Sequence, residues 1–504
     1  MSTHCTRVVS KRWLVYNKRG MWECIAPTAY AVDWNTALGD VLQTPEEVEF
    51  LSTLACSRER LQVALRHWKQ LSLRERSLCG TRQKHANSEA HLPAAEEKPV
   101  DESANKALLK NLKETLFATA GPVEVRSALY QLEAYIPCLQ RLTSLFQEQR
   151  TVEHFAHNRH ASESCRFAWK SGMAERRTVQ RESLLRFEIL FTLFYWSMAK
   201  IRIGHEILDE FSSNAEGQTR EAVENEAVRL FREASGVLKY LSEKLSPGLL
   251  MDMDSSEFVC EVHPCVASAL SRIAMGEAYL LALTRAESRQ LSPETLLRLS
   301  VGVTETFALA RAQLQGLCDG TNKAAAGHKR LAYSPEPGYR AVAELGEALG
   351  RTRCFYYQAL IFEAGTSPRE ISGKRGAVIR LLEHASLEIE KRRVGRLLRD
   401  GAFRFLVPPM RAPTVQHWQN LISIKLEKSR RDNDLVYMEP VPDSIPNITA
   451  TEALYPFYAV EYSFTDLNQT QLDASSSLDA SLNGSPRAGA QQNGTNDSIG
   501  GTFR

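Results

Sequence analysis

From residue 44 onward, apolar side chains recur at steps of three and four over most of the chain, which predicts helices with buried faces. The clearest stripe belongs to one central helix and runs through Val228, Phe231, Ser235, Leu238, Leu241 and Leu245. Gly236 lies inside this helix, where glycine costs about 1 kcal/mol relative to alanine. A close backbone approach to a neighbouring helix would account for that glycine.

Two further helices, predicted over residues 263–287 and 293–317, form an antiparallel pair. The second carries apolar residues on two faces, which is typical of a helix enclosed in a layered array. Helices over residues 339–363 and 377–399 follow, at roughly 34 residues per helix–loop–helix unit, a length similar to that of tetratricopeptide-like repeats. Such units bury their cores by stacking. The pattern therefore predicts an all-α solenoid built from helix pairs.

The remaining segments read as strands, linkers and tails. Aromatic and β-branched residues on both sides of Asn17–Gly20 predict a β-hairpin near the N-terminus, and the segment Cys165–Trp169 predicts a short strand. Residues 322–338 read as a linker. Polar composition predicts a mobile insertion at 83–106 and a disordered tail. We expect an N-terminal extension (1–24), one helical domain (25–464) and the tail (465–504).

The charge balance, the cysteine pattern and the length of the apolar runs limit the classes of protein to which this chain can belong. The chain has 62 basic and 60 acidic residues, so it offers no general attraction to nucleic acid. Its ten cysteines are scattered without a C-x-x-C pair, and its opening lacks a secretory signal, which together predict a reduced, intracellular protein. The apolar run Leu184–Met198 is shorter than the roughly 20 residues of a membrane span. We interpret it as a buried helix.

Candidate chemistry is sparse. His154, His157 and His160 lie three residues apart and can share a helix face as metal ligands, but no cysteine or carboxylate cluster joins them. Cys260 and Cys265 bracket His263 without a second ligand pair. Phosphate-loop spacing and a Gly-x-Ser-x-Gly elbow do not occur. The sequence thus predicts a protein that is not an enzyme, with no catalytic residue, metal, cofactor or small-molecule substrate.

Four local signatures occur in a familiar order. They are Phe167–Trp169 followed by a helix carrying Glu188, then Phe231–Leu241, then Ile273–Tyr279, and last Arg431–Pro442 with its Asn433 and Tyr437. Together they resemble the BRO domain family of ESCRT-III-binding adaptors, which includes Alix, the yeast Bro protein and Brox. The resemblance covers most of the chain and is closest to Brox-like members, which carry this domain alone. It implies a curved, boomerang-like helical solenoid with a small β-element near the N-terminus.

In this family, a groove on the central helices takes the amphipathic C-terminal helix of an ESCRT-III core subunit of the Snf/CHMP class. Carried over to this chain, the groove implies Ala282, Leu283, Leu296 and Leu299 as partner-binding residues, with Thr295 beside them. Ala282 stands where Alix has a large aromatic residue, so a shallower groove, a weaker affinity or a differently placed site would each follow from the resemblance. Periodicity alone assigns the three leucines to the core, and both interpretations stay open.

A basic cluster closes the predicted helix 377–399, and it comprises Lys391, Arg392, Arg393, Arg396 and Arg399. Such a cluster can complement the dipole of a helix C-terminus or dock on anionic lipid. Unlike Brox-like proteins of animals, this chain ends in Gly501–Arg504 rather than in a prenylatable cysteine motif, and Met1-Ser2 offers no myristoylation site.

Two hypotheses about function follow. The first is a cytoplasmic adaptor, peripheral on endosomes, that acts in multivesicular body formation. The second is a divergent helical scaffold with another protein partner. An apolar groove exposed near Leu283 and Leu299 would favour the first, and a filled or charged surface there would favour the second.

Overall fold

The computed structural model describes residues 28–29, 45–82, 123–149, 167–171, 173, 179–182, 185–211, 218–253, 257–318, 330–331, 337–364, 374–390, 411–446 and 452–464. Several predictions fall outside these residues: the N-terminal hairpin, the insertion at 83–106, the histidines at 154, 157 and 160, the basic cluster at 391–399 and the tail at 465–504. The chain divides into one unit over 1–462 and a second over 463–504, of which Ser463 and Phe464 are described.

Most of the described chain is helical. The helices are α1 (Pro45–Arg82), α2 (Val123–Gln149), α3 (Leu185–Phe211), α4 (Gln218–Tyr240), α5 (Ser246–Asp252), α6 (Pro264–Ser288), α7 (Pro293–Cys318), α8 (Pro337–Ala364), α9 (Lys374–Glu390) and α10 (Arg411–Asp432). A π-helical turn, Leu241–Leu245, joins α4 to α5, a second, Asn433–Tyr437, follows α10, and a 3₁₀ turn, Cys260–Val262, precedes α6. The predicted all-α fold is confirmed.

The helices form an ordered series in which each long helix packs on the next along the chain, from α1 against α2 to α9 against α10, with α4 packing on α6. Contacts between neighbours in sequence are what a stacked array of helix pairs requires. The predicted helix at the apolar run is α3, and every residue from Phe187 to Gly204 is buried. The interpretation of this run as a buried helix is therefore confirmed.

The strands are short and lie beside the helices. β1 (Thr28–Ala29), β2 (Phe167–Lys170) and β3 (Val179–Glu182) form an antiparallel sheet in that order, and β4 (Glu257–Phe258) pairs in parallel with β5 (Arg330–Leu331). The strand predicted at 165–169 is confirmed as β2. Residues 330–331, predicted as part of a linker, instead form β5 because their backbone pairs with β4.

A buried carboxylate ties the first helices to the sheet. Glu188 on α3 accepts a hydrogen bond from Trp169 Nε1 at 2.6 Å and another from Tyr135 Oη at 3.1 Å. Arg58 on α1 forms an ion pair with Glu188, and its guanidinium lies 4.9 Å from the Trp169 ring centroid. Because a buried charge must be paired and hydrogen-bonded, this cluster fixes α1, α2, β2 and α3 together.

Among the described residues, one helix, α6, is long and apolar enough to cross a bilayer, and 72% of its most apolar window is buried inside the protein. The core helix of a folded domain has the same composition. The packing of α6 against α4 and α7 identifies it as such a helix.

Candidate partner-binding site

The predicted groove residues lie at the turn between α6 and α7. Leu283 on α6 is fully buried, and Leu296 and Leu299 on α7 are each 6% exposed. Ala282 and Thr295 are partly exposed. The three leucines pack inside the helical layer because α6 and α7 are enclosed by neighbours on both sides. Within the predicted set, a partner can therefore contact Ala282 and Thr295, while the leucines support them from beneath.

Polar bridges hold the C-terminal end of α6 in place on both sides. Arg285 donates from Nε to Glu224 of α4 at 3.1 Å and from Nη1 to Asn225 at 2.8 Å. On the other side, Glu287 accepts from Arg353 Nε at 2.7 Å and from Tyr357 Oη at 2.9 Å, both on α8. Charge-assisted hydrogen bonds of this kind are stronger than neutral ones. This C-terminal part of α6, the platform that carries Ala282, is thus fixed to two helices, α4 and α8.

An extended segment, Glu452–Tyr462, which we call the strap, crosses the same helices. On α7, the strap's Leu454 N–H donates to the Arg298 carbonyl oxygen at 3.0 Å, and Arg298 Nε donates to the Glu452 carbonyl oxygen at 3.3 Å. One turn later, a Cβ added at Gly302 would lie 2.7 Å from the Leu454 carbonyl oxygen. Gly302 therefore permits this close approach of backbone to helix.

A second attachment on α4 repeats this arrangement residue for residue. The Val460 N–H donates to the Arg232 carbonyl oxygen at 3.1 Å, and Arg232 Nε donates to the Tyr458 carbonyl oxygen at 2.8 Å. A Cβ added at Gly236 would overlap the Val460 carbonyl oxygen. The close approach predicted at Gly236 is present, but its partner is the strap rather than a helix.

The close approach of α4 to its neighbouring helix lies one residue earlier. Ser235 Oγ and Ser271 Oγ of α6 are 2.8 Å apart, and each hydroxyl donates to the other residue's carbonyl oxygen. Small hydroxyl residues thus allow α4 and α6 to approach closely, which leaves Gly236 to face the strap.

Aromatic residues fill the space between the two attachments. Tyr279 of α6 donates its hydroxyl to the Phe457 carbonyl oxygen at 2.9 Å, and its ring centroid lies 5.8 Å from that of Tyr455. At the far end, the Tyr462 ring packs between Tyr240 and Trp196. Burial raises the pKa of Tyr462. The strap is therefore attached at three helices, α7, α6 and α4, in that order.

The stretch before the strap, Asn433–Asp443, holds α9 and is called the clasp below. Glu439 accepts from the backbone N–H groups of Arg375 and Gly376 in the first turn of α9, the latter at 3.1 Å. Asn433 orients Glu439, since its Nδ2 donates to the Glu439 carbonyl oxygen at 3.0 Å and its Oδ1 accepts from Glu439 N–H at 3.1 Å. Tyr437 stacks on Arg375, with 4.5 Å between ring centroid and guanidinium carbon.

Among the described residues, no group of three or more His, Cys, Asp or Glu side chains is placed to hold a metal ion. His263, which the sequence placed between two cysteines, accepts at Nδ1 from the Cys265 N–H at 3.1 Å and so caps the N-terminus of α6. Burial lowers the pKa of His263 to about 4, which keeps the ring neutral and able to accept this bond.

Sequence analysis did not find the strap, although one signal was present. Arg232 and Gly236 on α4 have the same four-residue spacing as Arg298 and Gly302 on α7. On a helix, residues four apart lie on the same face, so the donor of the arginine is next to the glycine, which has no side chain. The signal is not specific, because the same spacing also occurs at Arg272 and Gly276 on α6, where a Cβ added at Gly276 would meet the Phe307 ring rather than the strap.

Comparison with known proteins gives a consistent result. The profile of the BRO1-like domain matches residues 96–477, well over half of the chain. A solved structure of an ALIX BRO1–CHMP4C complex matches with a TM-score of 0.52 at 15% identity, covering 88% of this chain and 95% of that one. A structure describing endosomal targeting by the Bro1 domain matches with a TM-score of 0.50 at 15% identity, covering 89% and 96%. No curated protein matches the chain.

Proposed function

The chain belongs to the BRO1-like domain family, and we propose that it is a non-enzymatic adaptor that binds the C-terminal amphipathic helix of an ESCRT-III core subunit. The observation that carries this proposal is the family match over residues 96–477. The likeness in fold to the ALIX BRO1 domain, whose solved complex contains CHMP4C, agrees with it. A helix that lies in a groove is recognised through apolar anchors at helical spacing.

The proposed contact surface is the α6–α7 turn, with Ala282 and Thr295 as its accessible residues and Leu283, Leu296 and Leu299 as its floor. The small side chain of Ala282 leaves room for an anchor from the partner helix. The bridges from Arg285 and Glu287 keep the platform rigid, which lowers the entropy lost on binding. Thr295 lies in the first turn of α7, where Ser292 Oγ accepts from its N–H at 3.3 Å.

The adaptor is further proposed to act on endosomal membranes in multivesicular body formation. The cationic cluster of Lys391, Arg392, Arg393, Arg396 and Arg399 is the proposed contact with anionic lipid, and each such residue near an anionic surface adds about 1 kcal/mol. This part of the proposal rests on the sequence alone, since these residues lie outside those the structure describes.

The test is a fluorescence-anisotropy titration of the whole protein against a labelled C-terminal helix of an ESCRT-III core subunit of the Snf/CHMP class. We expect saturable micromolar binding. Ala282→Glu should weaken it by about tenfold or more, because the new carboxylate would be buried unpaired under the partner. Thr284→Glu is the matched control on the exposed side of the same helix. Absence of binding by folded wild-type protein would contradict the adaptor proposal.

The burial of Leu283, Leu296 and Leu299 favours a second candidate function. In this alternative, the chain is a divergent scaffold that binds another protein through a different surface. The same titration separates the two, since a scaffold of this kind gives no saturable signal with the ESCRT-III helix and no response to Ala282→Glu.

A further inference from the structure

The strap is held mainly through its backbone, and one of its side chains adds a charged contact. Tyr455 donates its hydroxyl to Glu305 Oε2 of α7 at 2.5 Å. Glu305 is three residues beyond Gly302 on the face of α7 that the strap crosses, so this bond lies next to the first attachment at Arg298. Burial and the hydrogen bond to Glu305 raise the pKa of Tyr455 to about 12, so the phenol stays protonated and remains a donor.

The position of Tyr455 is accessible to a modifying enzyme. Its side chain is 39% exposed, and the strap around it has an extended backbone without a helix or strand assignment. Elements held by a few exposed hydrogen bonds open locally at a small fraction of the global unfolding free energy. The Leu454 and Glu452 attachments are two such bonds.

We propose that Tyr455 is a phosphorylation site and that its modification releases the first half of the strap from α7. In the reaction, the phenol oxygen of Tyr455 attacks the terminal phosphorus of a nucleoside triphosphate supplied with a tyrosine kinase. The new P–O bond forms as the bond to the departing nucleoside diphosphate breaks, and the phenol proton passes to the general base of the kinase. Oxidation states do not change.

The effect of phosphorylation depends on Glu305, the hydrogen-bond partner of the Tyr455 hydroxyl. Before modification, Tyr455 gives Glu305 a proton donor. Afterwards, a phosphoryl group carrying a charge of about −1.5 to −2 faces the Glu305 carboxylate, so an attractive contact becomes a repulsive one. Two arginines lie near enough to attract the phosphoryl group. The charge of Arg272 acts to lower the pKa of Tyr455, and Arg298 Nη2 lies 3.9 Å from Glu452 Oε2. The proposal requires the repulsion by Glu305 to exceed the attraction by these arginines.

Tyr458, three residues further along the strap, is a matched internal control. Its side chain is 77% exposed, and the strap is held there through its carbonyl oxygen, which accepts from Arg232. We expect a phosphoryl group on this largely exposed side chain to extend into solvent. It therefore leaves both strap attachments in place.

The first experiment treats the whole protein with a broad-specificity tyrosine kinase and ATP and maps the modified residues by mass spectrometry. Phosphate on Tyr455 is expected. Modification confined to other tyrosines would overturn the assignment of the site.

The second experiment installs phosphotyrosine directly at position 455 or 458 and measures amide hydrogen exchange at Leu454. Phosphorylation of Tyr455 replaces its hydrogen bond to the charged Glu305, a kind of bond that is stronger than a neutral one, with a repulsion. We therefore expect amide exchange at Leu454 to accelerate by roughly tenfold or more for phosphotyrosine 455. For phosphotyrosine 458 we expect a change within about twofold, the size expected of an exposed group. Combining phosphotyrosine 455 with Glu305→Gln should restore most of the protection. Unchanged or slower exchange at Leu454, as expected if Arg272 or Arg298 captured the phosphate, would refute the proposed release.

Discussion

The clasp, which begins as a π-helical turn, and the extended strap are separated by residues 444–451 and attach to the helical array in different ways. Both bring a backbone carbonyl against a helix glycine: Pro440 against Gly376 in the clasp, and Leu454 and Val460 against Gly302 and Gly236 in the strap. The clasp adds a carboxylate, Glu439, that caps the first turn of α9. The strap instead lies across helices whose own hydrogen bonds are complete.

This difference decides what each segment supports. Opening the clasp removes a cap from α9 and exposes the buried amide of Asn433, so helix and segment lose stability together. Opening the strap leaves α4 and α7 intact, because the carbonyls of Arg232 and Arg298 also accept bonds within their helices. We therefore expect damage to the clasp to lower global stability and damage to the strap to remain local.

The largest effect is expected for Asn433→Ala in the clasp. The side chain is 6% exposed and pairs with both the N–H and the carbonyl of Glu439, so its loss leaves two partly buried polar groups unpaired. We expect the free energy of unfolding to fall by about 2–3 kcal/mol, measured by urea denaturation followed by circular dichroism. Asn420→Ala, an exposed position on α10, is the control. Equal effects of the two changes would mean that the clasp does not stabilise α9.

A somewhat smaller loss is expected for Gly376→Ala. The new methyl group would overlap the Pro440 carbonyl oxygen, so the clasp must move away from α9. The better helix propensity of alanine returns about 1 kcal/mol, and we expect a net loss of about 1–2 kcal/mol. Gly248→Ala is matched to it, since the nearest atom to the added Cβ is 3.5 Å away on Arg186. Thermal unfolding should show a lower midpoint for the first variant only.

In the strap, Gly236→Ala should produce a local effect without a global one. The methyl group would overlap the Val460 carbonyl oxygen and displace this end of the strap, while α4 gains helix propensity. We expect the free energy of unfolding to change by less than about 1 kcal/mol, together with faster limited proteolysis within residues 452–462. Gly302→Ala should act more weakly, since its Cβ would lie 2.7 Å from Leu454 O. A large drop in the free energy of unfolding would instead mean that the strap unfolds together with the core.

The same contrast explains what the sequence could and could not predict. The helices were predictable because packing on neighbours leaves a period of three and four residues, as at Val228 and Phe231. The strap has no such period, and its backbone pairs with helix residues far away in the sequence, as between Leu454 N–H and the Arg298 carbonyl oxygen. Side-chain patterns carry little information about such contacts.

The candidate site was harder to predict for a related reason. A helix enclosed on two sides has apolar residues on both faces, so the stripe at Leu296 and Leu299 has the same appearance whether it lines a groove or fills the core. The structure buries both side chains. The four family signatures also include residues with structural roles: Trp169 binds Glu188, Arg232 and Tyr279 hold the strap, and Asn433 organises the clasp. Such signatures identify the fold more directly than they identify a binding surface.

The smallest expected effect compares the two arginines of the strap, Arg232→Ala and Arg298→Ala. Arg232 donates to Tyr458 O at 2.8 Å and lies 5.7 Å from the Phe457 ring centroid, whereas Arg298 donates to Glu452 O at 3.3 Å. The shorter bond and the ring contact should make loss of Arg232 more costly. Exposed interactions of this kind contribute about 0.5–1 kcal/mol each, which corresponds to a change of a few-fold in amide exchange.

Amide exchange at Val460 and Leu454 reads out each attachment separately, since each N–H donates to the carbonyl of the arginine that is changed. Exchange should rise at Val460 in the Arg232 variant and at Leu454 in the Arg298 variant, with the larger rise at Val460. If either substitution accelerated both amides equally, the strap would open as one unit. The two attachments would then be cooperative rather than independent, and release of the first half alone would be excluded.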